Sequence, residues 1–234
     1  MNRRGLQGAV LIAALVATCG TGIGADPDLS GLVEPYLQAR RQEALGMLAA
    51  KAYVEPLRPS GEPKPQPAVS LVLLPYSAAF EAQLDAVKAG LRDSVDSYVQ
   101  AVGRIEAARV EYERALVTAG AGELVRNETT DARGSVELPG LPAGDWLLLA
   151  WHEGGYVSKQ NRLQQQDLKK YQDFPTAASY SVVTYWRSRV TVRKGETVEV
   201  SLTDRSIWMT AGRQEGTAPS RQRRPAGSDQ QRRP

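Results

Sequence analysis

Residues 129–153, TTDARGSVELPGLPAGDWLLLAWHE, decide the fold. Asp131-Ala132-Arg133-Gly134 reads as a tight turn in which glycine supplies a positive φ. SVELP is a short strand, GLPAGD a corner, and WLLLAWH a longer apolar strand. Gly134 and Gly144 are therefore expected to be turn glycines that determine the fold and not site residues.

Working outward, the β pattern continues on both sides. Downstream, SVVTYWRSRVTV and ETVEVSLT are expected to close as a hairpin across Arg193-Lys194-Gly195, and RSIWMT is a last strand. Val182, Trp186, Val190 and Val192 share one face, opposite Val198, Val200 and Leu202. Upstream, ELVRNETT is a strand, and AVSLVLLP at 68–75 is the apolar run of a central strand covered on both faces. Residues 77–120 lie between those two strands and contain no proline. Phe80, Leu84, Val87, Leu91, Val95, Tyr98, Val102, Ile105, Tyr112 and Leu116 trace a coiled-coil-like stripe there. One straight helix of that length would run roughly 60 Å. The chain must return to the sheet, so a helical hairpin is expected, turning near 90–93 or at Gly103, with Asp93 or Ser94 as N-cap. Ahead of a segment with five prolines between Pro56 and Pro67, SGLVEPYLQARRQEALGMLAAKAY reads as one helix, because Leu37, Ala44, Leu45, Leu48 and Ala52 keep a 3–4 spacing. The N-terminal helical region is accordingly placed at 26–52.

The two ends differ from this body. Residues 1–25 have the form of a secretory signal, with Arg3 and Arg4 before the apolar run Ala9 to Ala17 and small residues up to Ala25. That run is about half of the ~20 residues that span a bilayer, so no transmembrane helix is expected after processing. Cys19 in LVATC offers a second outcome, lipidation of the cysteine, although Thr18 is an unusual neighbour for it. Cys19 is also the sole cysteine, which excludes an internal disulfide and cysteine-based catalysis or zinc binding. Residues 213–234 form a basic tail, expected to be disordered, since from Gly216 onward no side chain larger than Ala is aliphatic and none is aromatic. Five arginines against Asp229 give 216–234 a net charge of +4, and Arg3 and Arg4 add +2. The formal total is +3, so the body between carries about −3. Basicity therefore belongs to the ends, and nucleic-acid binding is not expected.

The order of pieces resembles the carboxypeptidase regulatory-like domain, a transthyretin- or prealbumin-like β-sandwich related to the Cna protein B-type repeats. The motifs that carry the resemblance are Thr130-Asp131-Ala132-Arg133-Gly134, the corner Leu141-Pro142-Ala143-Gly144 followed by Trp146, and Lys194-Gly195-Glu196-Thr197-Val198. They cover roughly Tyr53 to Thr210 and place the sandwich at 53–212. The helical insertion at 77–120 and a polar loop at 153–179 are departures from the minimal domain. The resemblance implies a mainly β, immunoglobulin-like sandwich with α additions, serving as a structural or binding accessory. Some relatives form a Lys–Asn isopeptide bond, but RSIWMT has no Asn, and Asp204 is a poor substitute.

Few residues suggest a reaction. His152 is the single histidine and has no second histidine for a typical zinc site. No nucleophile–base set, metal cluster or phosphate loop is visible, so an enzyme and a cofactor are not expected. Arg187, Arg189 and Arg193 lie on an outer strand face, where cross-strand pairing around Glu199 is expected. Glu106, Glu111 and Glu113 alternate with arginines on a solvated helix. Binding offers two readings. In the first, the helical arm docks an envelope protein or a second copy of the chain through Leu84, Leu91 and Tyr98, with Tyr171 from the polar loop. In the second, exposed tryptophans among Trp146, Trp151 and Trp208 stack sugar rings of a polysaccharide. Trp146 and Trp151 are an odd number apart, so one of them must point away from the core. The expected function is that of a non-catalytic exported module of the periplasm or cell surface.

Overall fold

The computed structural model describes residues 29–58, 60–154 and 180–214. The expected signal with Cys19, most of the polar loop with Tyr171, and nearly all of the basic tail lie outside the described residues.

The described residues open with helix α1 (Leu29–Arg41), and strand β1 (Leu45–Val54) follows almost at once. The single helix expected up to residue 52 is thus two elements. The stop is a Schellman-type end, in which Ala44 N–H donates to Ala39 C=O and Glu43 N–H to Arg40 C=O. Glu43 takes the left-handed conformation at φ 51°, a position that usually calls for glycine. From there the side chains alternate: Leu48, Ala50 and Ala52 are buried while Met47, Ala49 and Lys51 are not. The 3–4 spacing of Leu45, Leu48 and Ala52 coexisted with this period of two, and the tertiary partners selected the latter.

The remaining strands are β2 (Lys64–Pro65), β3 (Ser70–Pro75), β4 (Arg126–Thr129), β5 (Ser135–Pro142), β6 (Gly144–Glu153), β7 (Tyr180–Val192), β8 (Thr197–Thr203) and β9 (Met209–Gln214). They form two sheets. The larger has the order β4-β3-β6-β7-β9, all antiparallel. In the smaller, β1 pairs with β5 and β2 antiparallel on one side and with β8 parallel on the other. The molecule is a β-sandwich with helical additions.

The expected β7–β8 hairpin is not formed. A tight turn does occur, with Glu196 N–H donating to Arg193 C=O and Gly195 at φ 72°. The two strands then part company, β7 to the larger sheet and β8 to the smaller. Crossing between layers is anchored by Gly195 N–H to Leu45 C=O (2.7 Å) and Met47 N–H to Glu196 C=O (2.8 Å). Gly46 makes room for it, since a Cβ there would lie 2.5 Å from the Arg193 carbonyl oxygen. Thr191 accordingly opposes Asp145 and not Glu199.

Between β3 and β4 the chain forms α2 (Ala78–Ala89), a 3₁₀ turn (Gly90–Arg92) and α3 (Val95–Thr118). Ser77 caps α2 and Ser94 caps α3, each side chain accepting from a backbone N–H three residues on. The arm doubles back here and not at Gly103. Its stripe faces inward: Phe80, Leu84, Val102, Ile105, Tyr112 and Leu116 are all buried. Phe80 stacks on Tyr112 at 4.6 Å, and the Tyr112 hydroxyl donates to the Pro75 carbonyl on β3.

Register assigns the two faces of the larger sheet. Leu73, Trp146, Leu148, Trp186 and Val190 share the face toward the smaller sheet. Val72, Leu74, Leu147, Leu149 and Tyr185 share the other, and all five are buried as well. Ion pairs from that second face reach the helices, Arg187 to Asp85 (2.8 Å) and Arg213 to Glu106 (2.5 Å). The architecture is therefore three layers: small sheet, large sheet, helices. The near-continuous apolar runs of β3 and β6 follow from this, because both of their faces need apolar cover.

Candidate functional site

The tryptophans are placed first, since sugar stacking depends on a free ring face. Trp146 is wholly buried, its Nε1 donating to the Pro142 carbonyl (3.1 Å) and its ring edge-to-face with Tyr36 at 5.1 Å. It has no face to offer, and its expected sugar contact is corrected to a core role. Trp186 is buried likewise and donates to the Thr203 carbonyl on β8 at 2.7 Å, tying the two sheets together. Trp151 points to the helical side, as the odd spacing requires, and is half-buried with the Arg109 guanidinium 5.3 Å from its centre. Trp208 is half-buried with Arg187 at 4.6 Å and Lys88 at 5.4 Å. A cation thus lies over each of these two partly exposed rings, on a face where a pyranose would stack.

The expected arm contacts fare similarly. Leu84 is fully buried, and Leu91 is half-buried against the core. Tyr98 is half-buried and engaged in a contact of its own. Among the described residues, the large apolar side chains exposed on the helices are Val110 and Val117 alone. The stripe belongs to the interior because the second face of the larger sheet needs a cover.

A polar cluster joins α1 to the corner before β6. The Tyr36 hydroxyl donates to the Asp145 carbonyl and accepts from Tyr76 N–H (3.3 Å). Burial pushes its pKa up to about 12. The Asp145 carboxylate accepts from Thr191 Oγ1 and from Arg189, both at 2.6 Å, and these bonds hold its carboxyl below the usual range. Arg189 in turn lies 3.8 Å above the Tyr76 ring, and the Tyr76 hydroxyl donates to Glu81, which raises its pKa. Every member is satisfied by another, as in a structural clasp. Gly144 stands beside it: a Cβ there would fall 2.6 Å from the Tyr36 ring. Its φ of 159° is close to extended, so the need for glycine is this close approach rather than a left-handed turn. Gly134 is the reverse case, at φ 72° with the Ala52 carbonyl oxygen 2.2 Å from a Cβ.

His152 pairs in register with Thr184 at the end of β6 and is half-buried, its Nδ1 without a hydrogen-bond partner. Among the described residues, no group of three His, Cys, Asp or Glu side chains could hold a metal ion. No described helix is long and apolar enough to cross a membrane.

Two clefts remain. One, of about 180 Å³, lies between Arg40, Glu123, Arg126, Leu124, Leu141 and Pro142, and the Arg40–Glu123 ion pair (2.5 Å) spans part of it. The other, of about 290 Å³, opens on the smaller sheet and is lined by Lys51, Tyr53, Pro63, Pro65, Arg133 and Ser135. The second was not legible in the sequence, because residues 44–52 carry a helical 3–4 spacing. In the structure the alternation of buried Leu48, Ala50 and Ala52 places Lys51 and Tyr53 side by side on an outer face.

No family model matches the sequence, and no curated protein does. Among solved structures, the chain is similar to a candidate carbohydrate-binding protein of Pseudomonas aeruginosa, at 17% identity and a TM-score of 0.39, over 72% of this chain and 94% of that one. It is also similar to the pilus backbone protein RrgB of Streptococcus pneumoniae, at 13% identity and a TM-score of 0.25, over 67% of this chain and 40% of that one. The full-length RrgB pilus protein gives 13% identity and a TM-score of 0.24, this chain spanning 29% of it.

Proposed function

We propose that this chain is an exported, non-catalytic binding module of the carboxypeptidase regulatory-like type, whose docking surface is the outer face of the smaller sheet. The observation that carries the proposal is unequal cover. Both faces of the larger sheet are buried, one under the smaller sheet and one under α2 and α3. The outer face of the smaller sheet has no layer over it among the described residues, and Lys51, Glu137, Thr197, Glu199 and Ser201 stand exposed on it. The helical arm, with its stripe already used, becomes part of the scaffold that stiffens the module.

The absence of a reaction is supported by what the polar groups do. Ser77 and Ser94 cap helices, and the Thr130 hydroxyl bridges Val69 N–H and the Gln66 carbonyl. Export is supported by the basic and apolar run of residues 1–25.

The test is amide mapping by NMR. ¹⁵N-labelled mature chain, residues 26–234, is titrated with purified cell-envelope polysaccharide and with solubilised envelope protein. Shifts grouped on Met47, Ala49, Lys51, Tyr53 and Glu199 are expected from one of the two fractions. Shifts grouped instead on the outer surface of α2 and α3, or none from either, would reject the assigned face.

A further inference from the structure

We propose that the cleft at the β1–β2–β5 corner of the smaller sheet binds an acidic saccharide, with Tyr53 as stacking platform and Lys51 and Arg133 as carboxylate contacts. The proposal rests on the binding-module reading above and makes its ligand specific.

Three features of the cleft point to that chemistry. Its walls are the half-buried Tyr53 ring and the exposed prolines Pro63 and Pro65, rigid apolar surfaces that suit the C–H face of a sugar ring. Lys51 and Arg133 project from exposed positions at its rim, and among the described residues neither is held in an ion pair or side-chain hydrogen bond. Arg187, Arg189, Arg205 and Arg213, by contrast, are committed to carboxylates. A free ammonium and a free guanidinium beside one aromatic ring are complementary to a ring that carries a carboxylate. The acidic side chains nearby bound the site. Glu137 and Glu199 flank Ala49 in one row across three strands, two residues along β1 from Lys51. They repel an anion from that end and leave the Lys51–Arg133 end for the charged group of the ligand, where the Asp131 carboxylate is already engaged by the Arg133 and Ser135 N–H groups.

The floor is preformed. Asp131 Oδ1 accepts from Arg133 N–H and Ser135 N–H, both at 2.8 Å, which fixes the turn bearing Arg133. Ala52 N–H donates to the Gly134 carbonyl (2.7 Å), and Gln66 N–H donates to the Ala52 carbonyl (2.9 Å), so β1, the turn and the proline segment are stitched together. Little ordering entropy is left to lose on binding. An acidic peptide would carry the same charge, but its usual mode is to add a strand to a free edge. At this corner the edge is β2, where Pro65 has no N–H and is flanked by Pro63 and Pro67. A ring ligand that uses side-chain contacts suits the corner better.

The experiment is calorimetric titration of the mature chain with tri-galacturonate, maltotriose and a hexa-glutamate peptide, paralleled by amide shifts. Tri-galacturonate is expected to bind and to move Lys51, Tyr53 and Arg133, and maltotriose to bind about tenfold more weakly or not at all. Tyr53→Ala should weaken binding about tenfold. Lys51→Gln, at an exposed position with no part in the fold, should weaken it and flatten its salt dependence. Equal binding of maltotriose overturns the carboxylate assignment, and preference for the peptide overturns the ligand class. Absence of binding, with envelope-fraction shifts still on the smaller sheet, overturns this inference alone. If those shifts also fail to appear there, the module reading falls with it.

Discussion

The two sheets of this sandwich are built to different specifications. β3 and β6 of the larger sheet are apolar on both faces, and the chain supplies a helical layer to satisfy the second face. β1, β5 and β8 of the smaller sheet alternate, apolar inward and mixed outward, and carry no second layer. A sheet face that is apolar must be covered, whereas a polar one can be left to solvent or to a ligand. Cover therefore separates scaffold from the proposed docking surface, and the stripe of the inserted arm is used in packing on the larger sheet.

The sharpest way to break this comparison is to remove the third layer. Replacing residues 77–122 with a short turn should expose Val72, Leu74, Leu147, Leu149 and Tyr185 together, and the shortened chain should fail to give a soluble, cooperatively folded monomer. Size-exclusion chromatography and near-UV circular dichroism decide it, and a soluble, native-like product would restore the arm as an accessory. A milder version is Phe80→Ala, which empties the stack on Tyr112 and should cost about 3–5 kcal/mol in urea denaturation. A cost under ~1 kcal/mol would mean that the helices ride loosely on the sheet.

Turn glycines sharpen the comparison at the level of single positions. Gly134→Val adds positive-φ strain to a backbone clash with Ala52 and should cost on the order of 3 kcal/mol. Gly195→Ala, at the same φ but with nothing within 4 Å, should cost only about 1 kcal/mol. Equal losses in thermal melts would show that space plays no part. The smallest effect belongs to the Asp145 clasp. Its carboxyl pKa is lowered in the folded state, so its stabilisation is complete above the ordinary value of 3.8 and is lost as pH falls through the lower folded value. Asp145→Asn should remove that part of the acid limb, and an unfolding profile from pH 5 to pH 2 that superimposes on the parent would count against the clasp.

Legibility in the sequence followed how local each determinant is. The turn at Asp131–Gly134, the apolar runs of β3 and β6, and a cap at Asp93 or Ser94, which Ser94 supplies, were all readable, because each depends on neighbours within a few residues. The end of α1 was not, since Glu43 occupies a left-handed position without the glycine that normally announces it. The candidate site inherited that loss. Tyr53 and Lys51 stood inside a supposed helix, and the tryptophans drew attention that their burial does not sustain.

By itself the sequence determined the sandwich class, the place of the helical insertion and the charge division between body and tail. Periodicity, turn chemistry and composition act locally, and they survive in one dimension. Only the tertiary structure decided that β8 leaves β7 to run parallel to β1, that Trp146 is core and Trp151 lies beneath Arg109, and that the arm's stripe is spent on the larger sheet. Each of those outcomes depends on which distant surfaces meet, and the same alternation or stripe is compatible with several partners until the layers close.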